Sequence, residues 1–190
     1  PYTKSKLAYP VTLREILQDA CTCCDVSLAA DTATFDNSDL TVESRPDDSA
    51  LTFRQIIQWV AQIACKYARI NNDGQLTLKW YDTSLLGLSV SDMQDNNRIV
   101  KIDTMKSGSS VETDDVVVTG VRVTEESETE SSGKTETIYQ YGADGYVLEI
   151  TGNKLIQSGN GSKIAESVGK KLTGLQFRPL NVICQSDPST

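Results

Sequence analysis

The sequence contains no histidine among its 190 residues. Histidine is the commonest general base in enzymes, the proton carrier of most serine and cysteine triads, and a frequent ligand of zinc. Its absence excludes the usual nucleophile triads and every zinc site that needs an imidazole. The remaining candidates for a functional site are the carboxylates, the cysteines and one glycine-rich turn.

Long apolar runs and an excess of positive charge are also missing. No stretch approaches the roughly 20 apolar residues that a membrane-spanning helix requires. The formal net charge is -8 and the hydrophobic fraction is 38%, which is ordinary for a globular protein. An acidic surface repels the phosphates of nucleic acid. The composition therefore predicts a protein with no membrane anchor and no direct binding to nucleic acid.

Both ends of the chain look open. The first residues, Pro1 to Lys4, contain no initiator methionine and lead into no apolar segment of a secretory signal. The last residues, Gln185 to Thr190, are typical of turns and provide no capping element. We therefore expect an internal fragment of a longer protein.

One seven-residue pattern occurs twice, at Thr12–Gln18 and at Thr52–Gln58. In each copy a threonine is followed three residues later by Glu15 or Gln55, the capping-box arrangement of a helix start. Apolar residues then recur at the helical period, so each predicted helix has one face to bury. These positions are Leu13, Ile16, Leu17, Ala20, Cys21 and Cys24 in the first copy, and Phe53, Ile56, Ile57, Val60, Ile63, Ala64 and Tyr67 in the second.

Short strands follow each predicted helix. Residues 39–43 alternate between polar and apolar side chains, and residues 68–70 and 75–80 flank a turn at Asn71–Gly74 that is typical of a β-hairpin. Two copies are too few for a solenoid. We therefore predict an α/β lobe over residues 1–88 with two similar helix–strand units, followed by a polar linker at 89–97.

The second half has the composition of a β-sheet. Segments rich in β-branched residues lie at 99–102, 116–124, 137–141, 146–150 and 181–184. Residues 125–135 contain no apolar side chain, which predicts a mobile hairpin tip, and one helix is predicted near 162–175. The second lobe, 98–190, should be mainly antiparallel sheet forming part of a barrel, so the predicted fold class is α+β.

Three pairs of adjacent carboxylates are candidates for acid–base work: Asp47-Asp48, Asp114-Asp115 and Glu125-Glu126. Two carboxylates of this kind hydrolyse glycosidic bonds when one of them is buried. Adjacent residues on a strand point to opposite faces, however, and all three pairs lie in polar surroundings. Solvated surface is the favoured interpretation.

The cysteines cluster at Cys21, Cys23 and Cys24, with Cys65 and Cys184 isolated. A reactive C-x-x-C dithiol needs its nucleophile at the start of a helix, whereas these cysteines lie late in the predicted helix. A zinc knuckle needs a second pair of ligands. We therefore predict small apolar core residues that remain thiols, and the odd number of cysteines favours a reducing compartment.

The glycine-rich turn Ser158–Lys163 precedes the last predicted helix and offers backbone amides to an anion. It lacks the full spacing of a nucleotide-binding loop. A turn with Ser162 as the N-cap explains the pattern without a ligand.

The two tryptophans, Trp59 and Trp80, are candidate anchors for a partner protein or parts of the core, and packing is the favoured interpretation. With the carboxylates, thiols and turn interpreted as above, the sequence predicts no catalytic residue, no cofactor site and no metal site. We therefore predict that the protein is not an enzyme.

Four motifs together carry a resemblance to a known family. They are the two T-[LF]-R-[EQ]-I-[IL]-Q helix starts, the hairpin sequence Asp73–Leu78, the strand pair within Tyr141–Ile150, and the segment Gly152–Ile156. With these motifs the chain resembles the tail-associated baseplate hub proteins of long-tailed phages and prophages of Gram-positive bacteria. Lys154 stands where a proline is expected in this pattern. The motifs mark a fold rather than a reaction.

The resemblance implies a structural component of the phage tail tip, assembled in the bacterial cytoplasm and located in the virion tail. It implies a homotrimeric ring in the full-length protein, related in fold to the hubs of contractile phages and of type VI secretion. The implied partners are the distal tail protein and the tape-measure protein, and further barrel strands would precede Pro1 and follow Pro188. Two alternatives stay open: a cell-wall-degrading enzyme domain that uses carboxylates, and a host-receptor binding module that uses the hairpin at 125–135.

Overall fold

The computed structural model describes residues 1–46, 49–80, 110–111, 115–129, 133–177 and 180–181. These residues form the predicted α+β fold. Its α-helices are α1 (Leu13–Cys23), α2 (Phe53–Ile63) and α3 (Asn160–Leu172). Its strands are β1 (Val11–Thr12), β2 (Thr41–Val42), β3 (Tyr67–Ile70), β4 (Leu76–Lys79), β5 (Ser110–Val111), β6 (Val116–Val117), β7 (Gly120–Thr129), β8 (Gly133–Gly142), β9 (Val147–Ile150), β10 (Gln176–Phe177) and β11 (Leu180–Asn181).

The two predicted threonines, Thr12 and Thr52, are the N-caps of α1 and α2. Thr12 Oγ1 accepts the Glu15 amide at 3.2 Å, and Glu15 Oε2 accepts the Thr12 amide at 2.7 Å, which completes a capping box. Thr52 Oγ1 accepts the Gln55 amide at 3.3 Å, but the side chain of Gln55 does not return the bond. The second predicted capping box is therefore wrong, because the hydrogen bond from the Thr52 amide to the Gln55 side chain is missing. A neutral amide oxygen is a weaker acceptor than a carboxylate.

Most residues on the predicted apolar faces of α1 and α2 are buried. Cys24 is exposed because α1 ends at Cys23, and the chain then turns away at Asp25, which has a positive φ of 54°. Tyr67 is 41% exposed because α2 ends at Ile63 and Tyr67 belongs to β3. The predicted core positions Cys24 and Tyr67 are therefore wrong, and Ile57 is only partly buried.

The predicted hairpin around Asn71–Gly74 is confirmed. Strands β3 and β4 pair antiparallel with Ile70 opposite Leu76. Asn71 Oδ1 accepts the amides of Asp73 at 3.0 Å and Gln75 at 2.8 Å, which closes the turn. The side-chain oxygen of one residue therefore determines the turn geometry, as asparagine commonly does in tight turns.

Strand β7 is the middle strand of a three-stranded sheet with the order β8-β7-β9. It pairs antiparallel with β8 and parallel with β9. The predicted strand pair within Tyr141–Ile150 is therefore wrong as a pair, because β8 and β9 lie on opposite sides of β7. The connection crosses the start of β7, where the Ala143 amide donates to the Thr119 carbonyl at 2.9 Å. A Cβ on Gly142 would lie 2.4 Å from that carbonyl oxygen, so the crossing requires a glycine.

Helix α3 packs on β7 and β8 through two of its glycines. A Cβ on Gly161 would lie 2.5 Å from Tyr139 Cδ2, and one on Gly169 would lie 2.3 Å from Tyr141 Cδ1. The missing side chains therefore make room for two aromatic rings. The predicted bounds of this helix, 162–175, are shifted by two or three residues from the observed Asn160–Leu172.

Most of the predicted hairpin tip at 125–135 is regular strand. Strand β7 continues to Thr129 and β8 begins at Gly133, with Glu126 paired to Glu136 and Ser127 to Thr135. The expectation of a loop is therefore wrong for these residues, because cross-strand pairing overrides a composition that lacks apolar side chains. Residues 130–132 lie outside the described part.

The chain divides into two units that differ from the predicted lobes. One unit combines residues 1–80 with 118–175, and the other combines 81–117 with 176–190. In the first, Leu155, Ile156 and Ile164 of the second half join Ile16 and Val60 in one core. The predicted boundary between 1–88 and 98–190 therefore does not match the observed division.

The second unit is described at its short strand pairs. Strand β5 pairs with β11, and β6 pairs with β10, both antiparallel. The predicted linker at 89–97, the predicted strand at 99–102 and residues 182–184 of the last predicted strand lie outside the described residues. Where the structure describes the chain, its sheets have two or three strands and close no barrel. In that same part, no helix is long and apolar enough to cross a membrane.

The two caps should differ in strength. We expect Thr12→Ala to lower the free energy of unfolding by about 1 to 2 kcal/mol, and Thr52→Ala by about half as much, because only Thr12 belongs to a complete capping box. Urea denaturation at neutral pH measures both. Equal losses in the two variants would contradict the asymmetry.

The cap of α1 should also depend on pH. The backbone amide of Thr12, and then its hydroxyl, lower the pKa of Glu15 below its usual value. A lowered folded-state pKa stabilises the fold above the unfolded pKa, near 4.5, and this stabilisation disappears as pH falls through the folded value. The stability difference between the wild type and Glu15→Gln should therefore shrink below that pH, and a difference that is constant from pH 7 to pH 3 would contradict this account.

Candidate functional site

The glycine-rich turn before α3 is the strongest ligand motif in the sequence. Ser158 and Gly159 both have positive φ, 58° and 77°, and Gly159 is the N-cap of α3. The helix begins at Asn160, so the predicted N-cap role of Ser162 is wrong: the chain already turns at Gly159. The free amides of the first turn, and with them the positive end of the helix dipole, therefore lie around Gly159 and Gly161.

A carboxylate from the sheet occupies this position. Glu125 Oε1 accepts the amide of Gly159 at 2.6 Å, and Glu125 Oε2 accepts the amide of Gly161 at 2.9 Å. Glu125 is only 6% exposed and follows the buried Val121 and Val123 on the inner face of β7. Two charge-assisted hydrogen bonds and the helix dipole compensate the burial of its charge.

The chain therefore supplies its own anion where a phosphate would bind to such a turn. The expectation that both carboxylates of the Glu125-Glu126 pair are solvated is wrong for Glu125, which is buried. The expectation that the two side chains point to opposite faces of the strand is confirmed, since Glu126 lies on the other face and is partly exposed. Nothing in the sequence near Glu125 indicates its burial, because its partners lie 34 and 36 residues further along the chain.

The other acidic pairs are only partly described. Asp47, Asp48 and Asp114 lie outside the described residues. Asp115 accepts a hydrogen bond from the side-chain amide of Gln176 at 2.5 Å, within the second unit. This carboxylate therefore has a structural partner.

The segment Gly152–Ile156 links the sheet to α2. Asn153 is buried, and its side-chain amide donates to the Trp59 carbonyl at 3.1 Å and to Gln62 Oε1 at 3.0 Å. Leu155 and Ile156 are buried in the same core. Trp59 and Trp80 are partly buried against this core, so the favoured packing role is confirmed for both residues.

The four described cysteines are free thiols. Burial is the largest cause that raises the pKa of Cys21, to about 11, and burial also raises the pKa of Cys65. Cys23 is exposed, and its pKa is also raised, first by desolvation and then by the nearby Asp19. The core role predicted for Cys21 is therefore confirmed and that for Cys24 is wrong, while Cys184 lies outside the described part.

One shallow depression of about 360 Å³ lies beside the β3–β4 hairpin. Within it Asp31 and Lys79 form an ion pair, and this lysine lowers the pKa of Asp31. Asn71 donates to Gln75 at 3.2 Å, so these polar groups also pair with each other. Sequence reasoning missed the depression because its walls come from segments about 40 residues apart. No group of three or more metal-ligating side chains occurs where the chain is described.

A polar row crosses the outer face of the three-stranded sheet. Arg122 donates to Glu149 Oε1 at 3.0 Å on one side and to Gln140 Oε1 at 3.0 Å on the other. Gln140 in turn donates to Asp144 at 3.0 Å. The row links β9, β7 and β8, and sequence reasoning missed it because the strand order was not known.

Removing the Glu125 carboxylate should destabilise the fold. We expect Glu125→Ala to lower the free energy of unfolding by about 2 to 3 kcal/mol, because two amides at the start of α3 lose their acceptor. Denaturation by urea measures the loss. Glu126→Gln is the matched control and should change stability by less than about 0.5 kcal/mol. Equal effects of the two substitutions would mean that the helix junction contributes nothing.

The cysteines should separate into two reactive classes. In a Cys184→Ser background at pH 8, we expect Cys23 and Cys24 to react with a thiol reagent in the folded protein, and Cys21 and Cys65 to react only on unfolding. Reaction requires an accessible thiolate, and burial both covers the second pair and raises its pKa. Mass spectrometry of labelled peptides gives the order, and fast labelling of Cys21 in the folded protein would contradict it.

No protein-family model, curated protein or solved structure matches this chain.

Proposed function

We propose that this chain is a structural, non-catalytic segment of the tail-tip hub of a long-tailed phage or prophage. The observation that supports it most is the Glu125 junction. The glycine-rich turn before α3 binds a carboxylate of the chain itself, so its hydrogen bonds stabilise the fold.

The motifs that carry the resemblance have structural roles here, which also supports the proposal. The repeated helix starts are caps of α1 and α2. The sequence around Gly142 allows the chain to cross the start of β7, and Asn153 links the sheet to α2. None of these roles requires a substrate.

The proposed assembly is a homotrimeric ring in the full-length parent protein. Its partners are the distal tail protein and the tape-measure protein, and its location is the virion tail after assembly in the host cytoplasm. The net charge of -8 suits a component beside passing DNA, because an acidic surface repels phosphates.

A receptor-binding role is the second candidate, and one observation favours it. Strand β9 ends at Ile150, opposite Val123, whereas β7 and β8 remain paired as far as Thr129 and Gly133. The β7–β8 ribbon therefore extends beyond the third strand of its sheet. In the receptor-binding alternative, this ribbon is the contact element.

The proposal is tested on the full-length parent protein and on virus particles. We expect light scattering to give the mass of a trimer, and antibodies against residues 1–190 to label the tail tip in electron micrographs. A monomeric parent protein or labelling of the capsid alone would overturn the proposal.

Two assays separate the alternatives. Release of fragments from purified peptidoglycan would favour an enzyme, and a Glu125→Gln variant shows whether the buried carboxylate takes part. Binding to host cells that disappears when residues 127–135 are replaced by a two-residue turn would favour the receptor role. The structural proposal predicts neither result.

A further inference from the structure

Strand β8 has an open edge. It runs for ten residues, Gly133–Gly142, and pairs with β7 along one side. On its other side no strand of the described residues pairs with it. Residues 135–138 are exposed, and Ile138, at 59%, is the most exposed of the large apolar side chains where exposure is described.

This edge lacks most of the features that protect natural edge strands. Proteins protect such edges with short strands, prolines, bulges or charged side chains. Strand β8 is long, contains no proline, and pairs with β7 in continuous register without a bulge. Strand β8 contains two charged residues, Lys134 and Glu136, and the side chain of Glu136 is exposed. The edge can therefore accept another strand.

We propose that this edge binds the same edge of a second copy of the chain, antiparallel, about a two-fold axis at Ile138. Two-fold pairing of identical strands keeps each side chain on its own face of the sheet. The axis must therefore pass through a residue and not between two residues, because neighbouring residues point to opposite faces. Only a few registers satisfy this condition over most of the strand.

The side chains select one of these registers. An axis at Glu136 places the two Glu136 carboxylates directly opposite each other, which is destabilising. An axis at Thr137 places Glu136 opposite Ile138 of the second copy, a charge against an apolar group. An axis at Tyr139 places Ile138 opposite Gln140, an apolar group against an amide, and overlaps less of the strand. An axis at Ile138 pairs the two isoleucines, places Glu136 opposite Gln140 and Thr137 opposite Tyr139, and overlaps nearly the whole strand.

Long-range charge repulsion opposes this contact, so the association should depend on salt concentration. Each copy carries a formal charge of -8, so two copies repel at low ionic strength. Salt screens the repulsion, whereas backbone hydrogen bonds and the isoleucine contact depend little on it. The association should therefore strengthen with salt. The contact is pairwise and does not rest on the proposed function, whose ring is three-fold.

Sedimentation equilibrium on the chain of 190 residues tests the contact. We expect a monomer–dimer equilibrium that tightens between about 0.05 M and about 0.5 M salt, as the screening length falls. Ile138→Lys should weaken the dimer roughly tenfold or more, because two charges then meet at the axis. Ile70→Lys is the matched control, since Ile70 is 53% exposed on another strand, and it should leave the dimer unchanged. A wild type that stays monomeric, or a dimer that both substitutions weaken equally, would overturn the proposal.

A disulfide tests the register. In a background with Cys23, Cys24 and Cys184 replaced by serine, Ile138→Cys should form an intermolecular disulfide under mild oxidation. Residues directly opposite in an antiparallel pair have Cβ atoms about 4.5 to 5.5 Å apart, close enough for a bridge after small adjustments. Gln140→Cys is the control and should remain a thiol, because it lies opposite Glu136. Cross-linking of the Gln140→Cys variant without that of Ile138→Cys would exclude the register.

Discussion

The hydrogen bonds between the Glu125 carboxylate and the first turn of α3 connect the parts of the first unit. The carboxylate belongs to the middle strand of the sheet, and the amides belong to the helix that covers it. The same turn reaches the first half of the chain, because the Asn160 side chain donates to the Thr41 carbonyl at 2.8 Å. Burying a charge is favourable only with such partners, so the sheet and the helix must take up one relative position.

That constraint explains why the first unit is built from two distant stretches of sequence. Residues 1–80 form helices and short strand pairs with one apolar side, and residues 118–175 provide the sheet and helix that share their core. Polar contacts follow the same division. Asn37 near α1 donates to Ser167 of α3 at 2.7 Å, and Asn153 donates to the end of α2. Each half leaves an apolar surface that the other half covers.

The distribution of polar groups bears on the function proposed for the protein. In the described part of the chain, the buried carboxylate, the buried asparagine and the glycines of the strand crossing all hold backbone segments together. The buried thiols have raised pKa values, which keeps them protonated and unreactive at neutral pH. The proposed hub role requires that partners be held in position, and these contacts fix the relative positions of the elements that they join. Among the described strands, β8 is the one proposed to bind another copy of the chain.

Features that depend on neighbouring residues could be predicted from the sequence. Thr12 and Thr52 start helices, and the Asn71–Gly74 turn closes a hairpin, because caps and turns form between groups a few residues apart. The burial of Glu125, the strand order β8-β7-β9 and the membership of the two units are set by long-range packing. These features depend on which distant segments meet. Patterns in a single sequence do not indicate which distant segments pack together, because hydrophobic burial is non-directional and favours many pairings. The observed pairing depends on details such as the space that Gly161 and Gly169 leave for two aromatic rings.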